Sequence, residues 1–416
     1  MKSRGVRREY LFVAAVVALA AFALSAPAAS VDGDLRSKAL ALNDVTGDLP
    51  IAGQIKTLLD DRAGAKKLLA TSLTMARAKE QPFNYNAAHI LAGVAQDLKN
   101  LEAAQTFYRI CVHQAEKVQS ANKLALSYAG IVDLLYEHKK YDEAERVCRE
   151  ILELKNDGRI RRLQEIVLET MIQVLAKQGK TEEALKLVNN RVKVRPDDWR
   201  VLEFKALVLH DAGRNAEAAK TYQRILDLVG KDDSLKEDEK SGTQAACRYI
   251  LSGIYAEMDQ VDKAAQQLQT LLEQKPNNPT YNNDLGYIWA DHDMHLDEAE
   301  KMIRKAIVEE RKERKKDPDL KPEADKDNAA FVDSLGWVLF KQKKFPDAKK
   351  YLEEAVQDKA EGQHTEIYDH LGDVHMALGE KAEAVAAWKK AVELAGKSKR
   401  DQERKLRIEK KIKEAK

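Results

Sequence analysis

The chain has 416 residues, 33% of them charged and only 6% aromatic, with nine prolines and nineteen glycines. That balance suits a surface-rich helical protein and argues against long loops or arrays of β-turns. The net charge is +2, but Lys2, Arg4, Arg7 and Arg8 against Glu9 place +3 in the first 28 residues and leave the rest near −1. A near-neutral body lacks the basic footprint that nucleic-acid binding needs, so no nucleic-acid partner is expected.

Those basic residues precede an apolar run from Leu11 to Leu24 and the small-residue site Ala26-Pro27-Ala28. Basic head, apolar run and small residues in that order read as an export signal over residues 1–28, cleaved before Ala29. The run of 14 residues is shorter than the about 20 a membrane span needs. The alternative is an uncleaved anchor that gives the chain membrane contact. Arg7-Arg8 resembles part of a twin-arginine signal, without the usual Ser or Thr before the pair. The general secretory route is therefore the first expectation. Next, residues 29–84 read as a helical capping region, with helical periodicity from Pro50 to Pro82.

Three later segments line up with one another: "NDLGYIWADHDMHLDEAEKMIRKAI" from Asn283, "DSLGWVLFKQKKFPDAKKYLEEA" from Asp333 and "DHLGDVHMALGEKAEAVAAWKKAV" from Asp369. Each has Leu-Gly, then an alanine 12 or 13 residues after the glycine, then apolar residues four and seven beyond. The pattern resembles the tetratricopeptide repeat, a helix–turn–helix of about 34 residues. Extended along the chain it gives eight units, near 85–118, 125–158, 165–198, 199–232, 245–278, 279–312, 329–362 and 365–398. Repeat position 20, shifted by one residue in the sixth unit, is Ala104, Ala144, Ala184, Ala218, Ala264, Ala299, Ala348 and Ala384. Position 8 carries Ala92, Ala206, Ser252, Gly286, Gly336 and Gly372, with Val132 and Ile172 as exceptions.

Small residues at 8 and 20 admit the closest approach of the two helices. Val132 and Ile172 therefore predict looser crossing in the second and third units. The larger side chains at 24 and 27 face the next hairpin, so a series of hairpins shares one core. The resemblance covers about residues 85–398 and implies an all-α, right-handed solenoid of eight hairpins. Two inserts interrupt it, "GKDDSLKEDEKSG" after the fourth unit and "RKERKKDPDLKPEADKDN" after the sixth. Solvated loops are expected there; a hinge between the sixth and seventh units is the functional alternative. Residues 399–416 read as a charged helix with a thin apolar stripe, Leu406, Ile408, Ile412 and Ala415. From Lys397 to Lys416 ten basic and four acidic residues give +6, read as a polar cap, with an anionic partner as the alternative.

Catalytic signatures are missing: there is no G-x-S-x-G, H-E-x-x-H, C-x-x-C or phosphate-binding glycine loop. Cys111, Cys148 and Cys247 are too scattered for a zinc site, and Cys111 and Cys148 fall at apolar helix positions, where a free cysteine behaves as a small hydrophobe. Asp291, His292, Asp293 and His295 hold potential metal-ligand types, but they fall at an inter-helix turn, where such residues gather without function. His364, His370 and His375 read as surface or packing residues. Neither a catalytic residue, a metal site nor a cofactor is assigned.

In the family the concave face is lined by positions 2, 5, 9 and 12 of the first helix, a stripe separate from the core stripe. In units one to four those positions are mixed, as with Asn86, His89, Asp133, Gln173 and His210. In units five to eight they become Tyr249, Asn283, Tyr287, Asp333, Trp337, Phe340, Asp369, Asp373 and Met376. Aromatics give a partner buried contact area and carboxylates select basic groups. The family's carboxylate clamp uses lysines that this stripe lacks, and an acidic groove repels such a ligand. The resemblance thus implies a non-enzymatic scaffold that binds a protein or peptide segment in this groove. The leader and the likeness of the "NDLGY" and "DSLGW" units to bacterial envelope proteins place it in a bacterial envelope or outside the cell. A membrane-anchored assembly subunit is the alternative, followed by a metal-binding protein or enzyme using residues 291–295. Whether Trp337 stands free or is covered by a neighbouring repeat is left open by the residues alone.

Overall fold

A computed structural model describes residues 31–78, 82–154, 160–318, 320, 324–396 and 399–415. The expected leader, with Leu11–Leu24 and the Ala26–Ala28 site, lies outside the described residues. Those described form helices and no strand. No described helix is long and apolar enough to cross a membrane. The chain divides into two compact parts, residues 1–164 and 165–416.

The first part opens with α1 (Val31–Ala41), α2 (Asp48–Asp60) and α3 (Arg62–Ala76). α1 packs on α3, and α2 and α3 pack on a first hairpin, α4 (Tyr85–Asp97) with α5 (Leu101–Lys117). Polar ties fix the join: the Asn84 backbone N–H donates to Asn43 Oδ1 at 2.8 Å, and Asn86 Nδ2 donates to the Val45 carbonyl at 2.8 Å. A second hairpin follows, α6 (Ala121–Glu137) with α7 (Tyr141–Glu153). Its helices have fewer close backbone approaches than those of the first, as the bulk of Val132 at the crossing position requires.

The second part contains α8 (Arg161–Lys177), which begins just before it, and α9 (Thr181–Val194). Next come α10 (Trp199–Asp211) with α11 (Asn215–Lys231) and α12 (Glu237–Glu257) with α13 (Val261–Gln274). The last two hairpins but one are α14 (Pro279–Asp291) with α15 (Leu296–Arg314) and α16 (Ala329–Lys341) with α17 (Phe345–Gln357). Hairpin eight, α18 (Thr365–Ala377) with α19 (Lys381–Leu394), is followed by α20 (Lys399–Glu414). The chain thus folds as an all-α helical-repeat solenoid.

Local chemistry sets the helix ends. Asn278 caps α14 by accepting from the Tyr281 N–H, with Pro279 in its first turn, and Asn328 caps α16. Most hairpin turns are three residues long and pass through one left-handed residue, such as Gly213 (φ 70°), Lys343 (φ 63°) or Gly379 (φ 79°). The turn between α14 and α15 has four residues and two left-handed ones, Asp293 and His295 (φ 56° and 46°). That extra residue explains why the sixth unit's alanine is displaced by one.

The close approach is visible at the glycines of hairpins six to eight. A Cβ on Gly286 would lie 2.9 Å from the Ala299 carbonyl and 2.8 Å from Ile303; one on Gly336 would lie 2.6 Å from Leu352 and 3.3 Å from the Ala348 carbonyl. At Gly372 it would strike the Trp388 ring.

Both inserts differ from plain loops. The first is mostly helical: α11 runs to Lys231 and α12 starts at Glu237, where Glu237, Asp238 and Glu239 sit in its first turn and suit the helix dipole. The second is tied down by ion pairs of Arg311 with Asp327, Arg314 with Asp325 (3.1 Å) and Lys326 with Asp358 (2.8 Å). Hairpins five to eight all lie within the second compact part.

Gly286→Ala should therefore lose about 1–3 kcal/mol of stability through overpacking against a backbone carbonyl. Gly253, exposed on α12 with nothing within 4 Å of a built Cβ, should gain up to about 1 kcal/mol when changed to Ala. Urea unfolding of the two variants checks the contrast; equal effects would contradict the close approach.

Candidate functional site

First helices stack side by side in hairpins six to eight, α14 against α16 and α16 against α18. Their groove stripes therefore meet, and the side chains pair across hairpins. Trp337, on α16, is only 8% exposed. Its ring stacks on His370 at 4.0 Å between centroids and on Phe340 at 5.0 Å, each with planes 13° apart. Its indole Nε1 donates to Asp291 Oδ1 at 3.1 Å. A neighbouring first helix thus covers the ring, and α14 takes up its polar edge.

Asp333, 5% exposed, lies 2.9 Å from His370 Nδ1. Burial works against a charged imidazole here. Asp333, with Glu366 and Asp369 behind it, outweighs that penalty and raises the His370 pKa above 6.5. Tyr287 donates its hydroxyl to Glu366 Oε1 at 2.6 Å, joining hairpin six directly to hairpin eight. Arg404 of α20 donates to the same oxygen at 2.7 Å. Burial alone would raise the Glu366 carboxyl, but Arg404 and His370 more than offset it and hold it well below the usual range. Lys411 of α20 reaches Asp369 at 2.8 Å and both oxygens of Asp373 at 2.7 Å. Asp373 also accepts from Trp388 Nε1 at 3.2 Å. Met376 packs beside Trp388 and Ile408, where α20 seals hairpin eight.

Tyr249 of α12 and Asn283 of α14 form a separate cluster where hairpins five and six meet. Tyr249 donates to Asp284 Oδ2 at 2.8 Å, and Asn283 Nδ2 donates to Asp284 Oδ1 at 3.2 Å. Asp284, which burial pushes up despite those bonds, is the shared acceptor. The structure therefore gathers Tyr287, Asp333, Trp337, Phe340, Asp369, Asp373 and Met376 along one seam, and leaves Tyr249 and Asn283 beside it. Glu366, His370, Arg404 and Lys411 belong to the seam and were not singled out by the sequence. Glu366 stands at repeat position 2, so the same frame contained its signal. Arg404 and Lys411 are seven apart, a helical spacing that marks one face.

Residues 291–295 are drawn to different partners. His292 bonds the Ile288 carbonyl (2.8 Å) and Asp259 (3.1 Å), Asp291 holds Trp337, Asp293 pairs with Lys341 (2.9 Å) and His295 lies against Trp289 (5.0 Å). Among the described residues no group of three His, Cys, Asp or Glu is placed to hold a metal ion. The three cysteines are buried, and burial pushes the thiols of Cys148 and Cys247 up to about 12, far from a reactive thiolate.

Stacked hairpins with small residues at the crossing points and first helices set side by side define a helical-repeat protein. The tetratricopeptide repeat family matches residues 170–233 and 334–399. A TPR repeat-containing protein of Pseudomonas aeruginosa is 27% identical over 203 residues, 48% of this chain. The chain spans only 29% of that relative's length. Among solved structures, a tetratricopeptide repeat protein of Parabacteroides merdae is 17% identical, with a TM-score of 0.48 over 68% of this chain and 98% of its own. A TPR protein of Thermus thermophilus is 18% identical, with a TM-score of 0.38 over 52% of this chain and 98% of its own. The chain therefore carries tetratricopeptide repeats over those matched residues. Such repeats generally mediate protein–protein contacts, and proteins built of them are generally non-enzymatic.

The raised His370 pKa has a consequence for stability. The charged pair with Asp333 stabilises fully below pH 6.5 and is lost as pH rises through the raised value. Resistance to urea should fall as pH rises above the ordinary histidine value, and His370→Asn should flatten that slope. An unchanged slope in the variant would remove His370 as its source.

Proposed function

We propose that the chain is a non-enzymatic scaffold that takes a partner's protein segment into the groove of hairpins five to eight. The observation that supports this most is that the groove stripe keeps Phe340 and Met376 only partly buried in the hairpins that lead to the carboxylates Asp369 and Asp373, with Tyr249 partly buried beside Asp284. Aromatic and thioether surface beside acidic groups suits a segment carrying both apolar and basic side chains. Trp337 and Asp333 lie beneath that surface and shape it. The reading extends to location: the N-terminal sequence directs export, and the scaffold works in a bacterial envelope or outside the cell.

A photo-crosslinking residue at position 340 should give discrete protein adducts in cells. The same residue at exposed position 350 on α17 should not. Equal yields from both positions would rule out the groove. N-terminal sequencing of the exported chain should begin at Ala29; retention of the leader in a membrane fraction would favour the anchored assembly subunit instead.

A further inference from the structure

α20 occupies the place that the first helix of a further hairpin would take. It runs in the same direction as α18: Arg404 meets Glu366, and Lys411, seven residues on, meets Asp369 and Asp373, the latter seven residues beyond Glu366. Seven residues are two helical turns, about 10.5 Å, so both cations lie on one face. Between them Ile408 is fully buried against Ala384, Trp388 and Ala391 of hairpin eight, with Ile412 and Ala415 below it.

This seat joins a narrow apolar row to ion pairs on either side of it. Twelve of the sixteen residues of α20 are charged, and of its three large apolar residues Leu406 remains 66% exposed. The carboxylates it covers, Glu366, Asp369 and Asp373, stand at the groove positions 2, 5 and 9 of hairpin eight. Asp373 is imperfectly compensated: burial raises its carboxyl even with Lys411 in contact. An ionic seat of this kind is weaker than an apolar one of the same area, and Lys411, whose side chain is 32% exposed, is the contact that salt reaches.

We propose that α20 is a displaceable occupant of the groove's C-terminal end, and that the segment replacing it is a basic amphipathic helix of a partner, with two cations seven residues apart flanking an apolar residue. This rests on the groove-binding reading above and names the ligand class for it. α20 is the internal example of that ligand, and it screens the groove against weaker binders.

The test uses the full-length chain and a fluorescein-labelled synthetic peptide of residues 399–416. Arg404→Glu with Lys411→Glu should release the resident helix. By fluorescence anisotropy this variant should bind the peptide at least ten-fold tighter than the unaltered chain. Adding Asp369→Asn and Asp373→Asn should abolish that gain. Equal affinity for the variant and the unaltered chain, or a gain that survives the Asn changes, overturns the proposal. Should the charge-reversed chain fail to fold, amide hydrogen exchange of the unaltered chain decides. Exchange in residues 401–414 should quicken at least ten-fold between 50 and 500 mM NaCl (about 14 and 4 Å of screening length) while α18 is unaffected. Salt-independent protection of α20 equal to that of α18 overturns it. Crosslinking from position 340 reads partner capture separately, so loss of one result does not imply loss of the other.

Discussion

Everything in the second compact part depends on how closely the two helices of a hairpin approach. Gly286 and Gly336 face the carbonyls of Ala299 and Ala348 with no room for a methyl group. That contact fixes where each helix crosses its partner. One turn further on, Ile303, Leu352 and Trp388 then fill the space beside it, each buried. The first helices fall into a row because every hairpin is set the same way. A groove is the consequence of that row, and its lining is whatever the sequence places at four positions of each first helix.

In hairpins six to eight that lining is polar and largely buried. An ionic group removed from water survives only when paired, so the stripe is built of reciprocal contacts: Asp333 with His370, Tyr287 and Arg404 with Glu366, Lys411 with Asp369 and Asp373. The Tyr287–Glu366 bond passes over hairpin seven and joins its neighbours. The same groups that would recognise a basic partner therefore hold successive repeats together. A ligand at this end must exchange contacts rather than fill empty space, which favours an occupant resembling α20.

The repeat was legible because its constraint is local: a small residue at the crossing, an alanine on the second helix and apolar residues at fixed steps. First helices start at Tyr85, Trp199, Pro279, Ala329 and Thr365, where the frame begins. It was less informative wherever a helix extends beyond the frame. α6 and α8 begin four residues early, at Ala121 and Arg161, and α12 begins eight early, at Glu237, inside an insert read as loop. Those stretches are mostly charged or polar, with one glycine, Gly242, and no proline, and hydrophobic periodicity says little about such short runs. The groove stripe was also legible as positions, but its contacts were not. Trp337 with Asp291 and Tyr287 with Glu366 are separated by 46 and 79 residues. Which of them touch depends on the rotation between hairpins, which no single repeat encodes.

The central claim is that the groove-facing aromatic seam is part of the architecture, with Trp337 locked between His370, Phe340 and Asp291. Thermal and urea unfolding of Trp337→Ala tests it most directly. A loss of about 3–5 kcal/mol, the cost typical of truncating a buried Trp, is the predicted result. Unfolding indistinguishable from that of the unaltered chain, with partner capture lost, would show instead that the ring stands free for the partner and would contradict the account.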